Sequence, residues 1–188
     1  WHRRDGGRYI NTMQGTVTRD PVSGRLNVGI YRGMIGQKNT IPVLLWKPQN
    51  WGQDFQRYSG KGEDMPVAFV YGWEPCLPFC ASSPIPPDIS EYEVMGALRG
   101  APVELVECET VPLMVPASAE MVIEGYISPD PSTFEMEGPF GDHTGYYNAA
   151  EPFPVFHVKA ITHRKDPLYL TTITGRPPKE DAVIGTVL

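Results

Sequence analysis

Residues 67–73, Val-Ala-Phe-Val-Tyr-Gly-Trp, carry the clearest information about the fold of this chain. The run combines β-branched and aromatic side chains, with Pro66 before it and Gly72 near its end. This composition, bounded by turn residues, is typical of a buried β-strand. The run is also far shorter than the roughly 18 apolar residues that a membrane-spanning helix needs. No apolar run of the chain approaches that length, so we expect no membrane span.

Other segments with the same features predict further strands. They cover residues 27–31, 41–46, 103–108, 121–127, 155–163 and 168–173. Only residues 51–59 and 89–98 have helical patterns. The 188 residues include 19 Gly and 20 Pro, well above the roughly 12% combined share of an average protein. This density excludes a helical bundle or a coiled coil. We therefore predict a mainly β domain with a few short helices, arranged as a barrel or a sandwich.

Charge and cysteine content exclude several classes of partner. The chain has 16 Lys and Arg against 22 Asp and Glu, a net charge of −6, with no concentrated basic block. Nucleic acid is therefore not an expected partner. Cys76, Cys80 and Cys108 cannot all pair with one another, and no Asn-x-Ser/Thr sequon occurs. We expect a cytoplasmic protein in which these thiols are small buried hydrophobic groups.

One segment stands out as a candidate for chemistry. Residues 135–147 contain Glu137 and Asp142 on either side of a Gly-Pro-Phe-Gly turn. Such a turn can direct both carboxylates into one space, where each changes the pKa of the other. This arrangement fits an acid/base pair. The alternative is a solvated acidic turn without a catalytic role.

Two further segments carry polar groups near predicted element ends. Asn27 and Arg32 lie around a strand end, where Arg32 could bind a carboxylate or a phosphate. Ser82, Ser83 and Pro84 belong to a loop that leads to the predicted helix containing Glu91. The alternatives are an exposed strand-end arginine, and a Glu91 that only closes a capping box with the residue three positions before it.

Taken together, these segments resemble the UbiD family of prenylated-FMN-dependent decarboxylases. The resemblance covers nearly the whole chain. It includes Asp-Gly-Gly-Arg-Tyr-Ile at 5–10, Asn-x4-Arg at 27–32, the Ser-Pro-Ile-Pro run at 83–86, Glu-Gly-Pro-Phe-Gly-Asp at 137–142 and Gly-Arg-Pro-Pro-Lys-Glu-Asp at 175–181. It implies a split β-barrel of the flavin-reductase, FMN-binding type. It also implies that residues 1–188 are the central cofactor-binding domain of a longer enzyme of three domains.

The resemblance implies a catalytic network of Arg32, Glu137 and Asp142. Arg32 would pair with Glu137 and hold the substrate carboxylate, and Asp142 would carry the proton. Many relatives have Glu at the position of Asp142, so which of the two acids donates the proton stays open. The reaction would be the reversible, non-oxidative decarboxylation of an aromatic or α,β-unsaturated acid. The Asp-His-Thr-Gly-Tyr-Tyr run at 142–147 favours an aromatic acid.

The resemblance also implies cofactors. The phosphate of prenylated FMN would be bound through Mn²⁺ or Mg²⁺, held by Asn27, Asn50 and Glu91, with K⁺ on nearby backbone carbonyls. Asn50 stands where relatives have His, and a carboxamide oxygen still suits a hard cation. The residues expected to contact the cofactor are Asn27, Ile30, Arg32, Gln49, Ser82, Ser83, Pro84 and Glu91.

The expected partners are a small carboxylic acid, a flavin prenyltransferase that supplies the cofactor, and further copies of the full-length protein in a homo-oligomer. Two other functions stay open on the sequence. One is a flavin-binding module that catalyses no reaction. The other is a hydrolase that uses Glu137 and Asp142 on a glycosidic bond, although such an enzyme has no need of a metal–phosphate site.

Overall fold

A computed structural model describes residues 2–86 and 88–186 of the chain. Within these residues the strands are Tyr9–Asn11 (β1), Gly15–Arg19 (β2), Leu26–Gly29 (β3), Gly33–Met34 (β4), Thr40–Pro42 (β5), Met65–Tyr71 (β6), Leu105–Glu107 (β7), Met114–Pro116 (β8), Met121–Ile127 (β9), Glu135–Glu137 (β10), Phe140–Gly141 (β11), Tyr147–Asn148 (β12), Glu151–Phe153 (β13) and Val155–His163 (β14). The α-helices are Asn50–Lys61 (α1), Cys76–Ser82 (α2), Glu91–Arg99 (α3) and Glu180–Ile184 (α4), and Pro131–Thr133 forms a 3₁₀ turn.

An antiparallel sheet of six strands organises the molecule, in the order β3-β2-β6-β9-β14-β5. The central pair is β6 and β9, whose register runs from Met65 opposite Ile127 to Tyr71 opposite Met121. Every residue of β6 is buried. A strand that is covered on both faces needs a continuous apolar sequence, and this explains the run at 67–73 that predicted it.

The two faces of the sheet carry separate hydrophobic clusters. On one face, Phe69 packs against Phe156 with ring centroids 4.5 Å apart, and Trp51 of α1 is completely buried in the same cluster. On the other face, Val70 lies in a cluster with Leu77 of α2 and with residues of α3. Because successive side chains of a strand point to opposite faces, β6 contributes to both clusters.

The two edges of the sheet approach each other beyond β3 and β5. Gly33 forms a β-bridge with Val43, and the Leu44 N–H donates to the Arg32 carbonyl at 3.3 Å. These contacts hold the segment that follows β3 against the segment that follows β5. They therefore place Arg32 at the rim of the sheet.

The mainly β prediction is confirmed, and six of the seven predicted strands and both predicted helices correspond to observed elements. The prediction of a strand at 168–173 is wrong. The Leu168 N–H donates to a carboxylate oxygen of Glu120, and Tyr169 donates its hydroxyl to the Ile10 carbonyl. The preceding strand β14 pairs with β9 along its length and with β5 only at residues 155–157. The segment is therefore attached through side chains instead of a strand ladder.

The structure also contains elements that the sequence patterns did not reveal. Strand β2, Gly-Thr-Val-Thr-Arg, is polar in sequence although its first four residues are buried. Helix α2 contains Pro78, which is tolerated because it lies in the first turn. The described residues thus contain four α-helices, two more than the helical patterns in the sequence indicated.

The longest of these helices has 12 residues, and no helix in the described part of the chain has the length and apolarity needed to cross a lipid bilayer. Cys80 is buried, whereas Cys76 and Cys108 are half-buried, and all three thiols are free.

Candidate active site

A cavity of about 670 Å³ opens beside the edge strand β3. Its walls come from β3 and the residues after it, the start of α1, the end of α2, the loop after β11, and the C-terminal segment that includes α4. The residues lining it that the sequence analysis had selected are Asn27, Ile30, Arg32, Gln49, Asn50, Ser82, Ser83, Glu91 and Asp142. Of the selected residues, Glu137 and Pro84 do not line this cavity.

Arg32, which lines the cavity, forms an ion pair with Glu137, which lies behind it. Arg32 Nε donates to Glu137 Oε1 at 3.0 Å, and Nη2 donates to Oε2 at 2.8 Å. The Glu137 side chain is completely buried and the Arg32 side chain is 9% exposed. Two parallel charge-assisted hydrogen bonds fix the plane of the guanidinium. This burial contradicts both an exposed strand-end arginine and a solvated turn at Glu137.

Tyr9 of β1 completes the surroundings of Glu137. Its hydroxyl donates to Oε1 at 2.8 Å. Burial raises the pKa of this phenol well above its ordinary value, and the adjacent Glu137 carboxylate raises it further. The hydroxyl is therefore a donor over the whole ordinary pH range. With Tyr9 and Arg32 bound, both carboxylate oxygens of Glu137 are occupied, an arrangement unsuited to a hydrolase that needs this acid free to attack or to activate water.

Arg32 has one guanidinium nitrogen that Glu137 does not bind. Its Nη1 atom is buried and has no hydrogen-bond partner among the described residues. The same atom lies 3.9 Å from Asp142 Oδ2, and the guanidinium carbon lies 5.0 Å from the centre of the Phe140 ring. A buried N–H without a partner is costly, so this atom marks a place where an anionic ligand would be favourable.

Asp142 is the more accessible of the two acids, with its side chain 26% exposed. The His143 backbone N–H donates to Oδ1 at 2.7 Å, the His143 ring lies 2.6 Å from the same oxygen, and Asn148 donates to Oδ2 at 3.0 Å. Partial burial opposes ionisation, but these hydrogen bonds outweigh it and lower the pKa of Asp142 below its usual value. Asp142 is thus held at the cavity wall as a carboxylate.

Local backbone geometry explains how the turn between Glu137 and Asp142 brings Asp142 to the cavity wall. Gly138 has a φ of 93°, a conformation that side-chain-bearing residues rarely adopt. Gly6 packs against it so closely that an added Cβ would lie 1.9 Å from the Gly138 carbonyl oxygen. The Gly6 N–H donates to the Pro139 carbonyl at 2.8 Å, and Asp5 accepts from the Gly141 N–H at 2.9 Å. The N-terminal segment therefore supports the turn between the two acids.

The predicted metal ligands occupy another part of the cavity wall. Asn27 is 1% exposed, and its amide oxygen Oδ1 is buried without a hydrogen-bond partner among the described residues. Glu91 Oε2 accepts from the Val28 N–H at 2.9 Å, and burial raises the pKa of this carboxyl. Glu91 therefore packs against β3. The N-cap of α3 is Ser90, whose hydroxyl accepts from the Tyr92 N–H, so the alternative of a capping box closed by Glu91 is wrong.

The loop after α2 has its side chains turned back onto the helix. The Ser82 hydroxyl donates to the Pro78 carbonyl at 2.6 Å, and the Ser83 hydroxyl donates to the Phe79 carbonyl at 2.8 Å. Any contact of these serines with a ligand would therefore involve the backbone first. The Ile30 N–H donates to the Ala81 carbonyl at 3.2 Å, which joins this loop to the end of β3.

Sequence reasoning assigned no role to Tyr9 or to the C-terminal contributors Thr172, Thr174 and Asp181, which line the cavity. Tyr9 lies in the segment at 5–10 that was part of the resemblance, and that was the only signal for it. Asp181 lies in the segment at 175–181 of the same resemblance and Thr172 lies in the segment predicted as a strand, whereas Thr174 carried no signal. Their position follows from the path of the chain after β14.

Fold and site define a class: a mainly β domain with a cavity lined by an arginine and a carboxylate, the arginine being paired with a second carboxylate buried behind it. A family model described as the 3-octaprenyl-4-hydroxybenzoate carboxy-lyase Rift-related domain, UbiD, matches residues 1–177. The chain belongs to this family, which confirms the resemblance seen in the sequence.

Several known proteins are similar to the chain. An uncharacterized protein of Aquifex aeolicus strain VF5 is 46% identical over 182 residues, which cover 97% of this chain and 37% of that protein. The structure of an evolved dimeric form of the UbiD-class enzyme HmfF from Pelotomaculum thermopropionicum, in complex with prFMN, is 36% identical with a TM-score of 0.89, covering 99% of this chain and 42% of HmfF. The closed form of vanillic acid decarboxylase from Sedimentibacter hydroxybenzoicus is 31% identical with a TM-score of 0.92, covering 97% of this chain and 39% of that enzyme. The chain therefore spans about two fifths of the length of these relatives.

Proposed function

We propose that this chain is the cofactor-binding domain of a prenylated-FMN-dependent enzyme that reversibly decarboxylates an aromatic or α,β-unsaturated carboxylic acid. One observation carries the proposal. Arg32 is fixed by Glu137 on one side, while its buried Nη1 has no partner among the described residues and lies 3.9 Å from Asp142. An unpaired guanidinium N–H beside a proton-carrying group suits a substrate carboxylate. The similarity to HmfF with prFMN and to vanillic acid decarboxylase supports this choice.

In this proposal the two acids have different roles. Glu137 is buried with both oxygens occupied, so it orients Arg32 and transfers no proton. Asp142 lines the cavity and carries the proton. The bond between the carboxylate and its carbon breaks, CO₂ leaves, and that carbon receives the proton of Asp142, which solvent then replaces. Because the pKa of Asp142 is lowered, its carboxylate must first take up a proton from solvent, and an anionic substrate bound beside it would favour that protonated form.

The cavity residues fit the group that the family implies. The buried and unpaired amide oxygen of Asn27 and the carboxylate of Glu91 are oxygen donors of the kind that Mn²⁺ and Mg²⁺ prefer. Asn50 lines the same cavity and would be the third ligand. When bound, prenylated FMN would supply the electron sink for breaking the carbon–carbon bond. We propose cofactor contacts from Ile30 and Gln49.

The loop after α2 completes this set. Ser82, Ser83 and Pro84 would contact the cofactor, and backbone carbonyls near Ser82 and Glu91 would bind K⁺. The proposal extends to the fold, since the joined edges of the sheet at Gly33 and Val43 fit a split β-barrel of the flavin-reductase type. A flavin prenyltransferase would supply the cofactor to the full-length protein. That protein would form a homo-oligomer.

The test uses the full-length protein reconstituted with prenylated FMN and Mn²⁺, supplied with a panel of aromatic and acrylic acids. The measurements are CO₂ release and H/D exchange at the carboxyl-bearing carbon. We expect Arg32→Ala and Asp142→Asn to retain cofactor and to lose at least about 10²-fold in rate, the usual effect of removing a positioned acid. The matched control is Arg164→Ala, which should keep full activity, because Arg164 follows β14 and its side chain is 54% exposed.

Each outcome decides between the candidate functions. Undiminished turnover in Arg32→Ala or Asp142→Asn would remove the proposed network. Full cofactor binding by the wild-type protein with neither CO₂ release nor exchange from any acid would favour the non-catalytic flavin-binding module instead.

A further inference from the structure

A buried carboxylate lies behind Asn27, outside the set of residues selected from the sequence. Asp54 of α1 is 1% exposed. Its Oδ2 accepts the Thr18 hydroxyl at 2.8 Å, and Thr18 Oγ1 in turn accepts from Asn27 Nδ2 at 3.2 Å. Thr18 is completely buried and Asn27 is 1% exposed. A continuous buried chain of hydrogen bonds therefore runs from helix α1 through β2 to β3.

The direction of this chain follows from the number of protons available. A threonine hydroxyl can donate only one hydrogen bond, and Thr18 donates it to the Asp54 carboxylate. Thr18 Oγ1 can then only accept from Asn27, so the amide nitrogen of Asn27 must face Thr18. The network thus assigns the orientation of an amide whose nitrogen and oxygen are otherwise interchangeable.

The second amide proton of Asn27 is also accounted for. Asn27 Nδ2 lies 3.4 Å from the Tyr31 hydroxyl, and the Tyr31 ring is stacked on Trp51 with centroids 4.3 Å apart. Burial raises the pKa of Tyr31 to about 12, so its hydroxyl stays neutral. With both N–H groups directed inward, Oδ1 is the atom of Asn27 that has no partner among the described residues, and Asn27 lines the cavity.

We propose that Asp54 and Thr18 are positioning residues that hold the Asn27 amide with its oxygen available to a divalent cation in the cavity. This inference rests on the proposed function, which makes Asn27 a metal ligand. It adds two residues that bind neither metal nor cofactor. The remaining oxygen of Asp54 lies 3.3 Å from Arg57 Nη1, so the carboxylate is held from both sides.

The identity of the acid at position 54 is decisive in this arrangement. In Asp54→Asn, the new amide nitrogen can donate to Thr18 Oγ1. The Thr18 hydroxyl would then donate its hydrogen bond toward Asn27. Asn27 can accept this bond only with its amide oxygen. The amide of Asn27 would reverse, and N–H groups that repel a cation would replace the oxygen at the cavity.

The experiment is a Mn²⁺ titration of the full-length apoprotein in the presence of FMN, followed by the EPR signal of free Mn²⁺. We expect Thr18→Val and Asp54→Asn each to weaken Mn²⁺ binding by about 10-fold to 100-fold, the usual effect of losing a group that orients a ligand. Thr18→Ser keeps the hydroxyl and should bind Mn²⁺ within about twofold of wild type by the same reasoning. Asn27→Ala tests the ligand itself, and thermal melting of each variant reports its folding.

The outcomes separate the two proposals. If Asn27→Ala loses Mn²⁺ while folded Thr18→Val and Asp54→Asn retain wild-type affinity, the positioning role is wrong and the metal site stands. If Asn27→Ala binds Mn²⁺ like wild type, the metal site itself is wrong and the positioning role falls with it. A Thr18→Ser variant as weak as Thr18→Val would also overturn the inference, because the hydroxyl would then not be the group that matters.

Discussion

Arg32 and Glu137 lie 105 positions apart in the chain, and two parallel hydrogen bonds of 3.0 and 2.8 Å join them in a buried pair. Neither segment has a feature that specifies the other locally. The pairing depends on the segment after β3 and the turn after β10 meeting at one rim of the sheet. It turns two ordinary charged residues into one oriented group with a single unsatisfied nitrogen, Arg32 Nη1.

The first prediction concerns the stability that this pair provides. Glu137→Ala leaves the buried guanidinium without its counter-charge, and removing one member of a buried pair costs about 3–5 kcal/mol. Urea denaturation at neutral pH measures the loss in free energy of unfolding. Glu74→Ala is the matched control, since the pair of Glu74 with Arg99 is partly exposed and such pairs contribute about 0–1 kcal/mol. Equal losses in the two variants would contradict the importance of burial.

The second prediction concerns Tyr9. Tyr9→Phe removes the hydroxyl that donates to Glu137 Oε1 and leaves that buried oxygen with one donor fewer. We expect a loss of about 1–3 kcal/mol in the free energy of unfolding and slower turnover in the full-length enzyme, because Arg32 is held less firmly. Tyr126→Phe removes a comparable hydrogen bond at an exposed site and should change neither quantity appreciably. A Tyr9→Phe enzyme with wild-type stability and rate would show that Arg32 alone orients Glu137.

The third prediction concerns the pH dependence of stability through Asp142. Its pKa is lowered in the folded state, so its ionised form contributes stability above the ordinary Asp value of about 3.9. That contribution is lost as the pH falls through the lowered folded value. The stability difference between wild type and Asp142→Asn should therefore be largest near neutral pH and shrink in acid. In Asn148→Ala one donor is lost, so the folded-state pKa of Asp142 should move back toward its ordinary value, and the decline should be smaller and end at a higher pH. An unchanged profile would contradict the role of Asn148.

The fourth prediction concerns the contact between Gly6 and Gly138. In Gly6→Ala, the new Cβ would lie 1.9 Å from a backbone oxygen, so the turn carrying Glu137 and Asp142 must move. We expect a loss of about 1–3 kcal/mol, as for other overpacked sites, together with reduced activity. Gly60→Ala in α1 meets nothing within 4 Å and should be neutral or stabilising by up to about 1 kcal/mol. Comparable thermal melts of the two variants would contradict the close packing.

The fifth prediction concerns metal preference at Asn50, which we propose as a metal ligand. Asn50→His replaces a hard carboxamide oxygen with an imidazole nitrogen, which suits Zn²⁺ and Co²⁺ better than an oxygen ligand does. Competition titrations against Mn²⁺ should show affinity for Zn²⁺ rising relative to the wild-type protein. Gln49→His, one residue away, is the control for an added histidine that is not a ligand. The same shift in both variants would exclude Asn50 as a ligand.

Parts of the fold and site could be predicted because their signals are local. The apolar strand at 67–73 had to be covered on both faces, and α3 began close to the predicted start because Ser90 caps it. The elements that were missed lack such signals. Strand β2 is buried although it contains two threonines, and α2 forms around Pro78, because packing against neighbouring elements outweighs local preference.

The segment at 168–173 is the opposite case, because its sequence predicts a strand and the structure has none there. Its composition suits a strand, but Leu168 and Tyr169 bond to the Glu120 side chain and the Ile10 carbonyl instead of forming a strand ladder. Whether a segment joins a sheet depends on which groups lie beside it in the fold, and no sequence window records them.

The sequence by itself determined that this chain is mainly β, that its turns are rich in glycine and proline, and which polar residues belong to its motifs. Those properties depend on composition and on neighbours along the chain. Only the tertiary structure decided that Glu137 is buried with both oxygens bound while Asp142 faces the cavity, and that Asp54 and Thr18 stand behind Asn27. Burial and hydrogen-bond partners come from segments that are distant in sequence, and they set the charge, orientation and accessibility of each group.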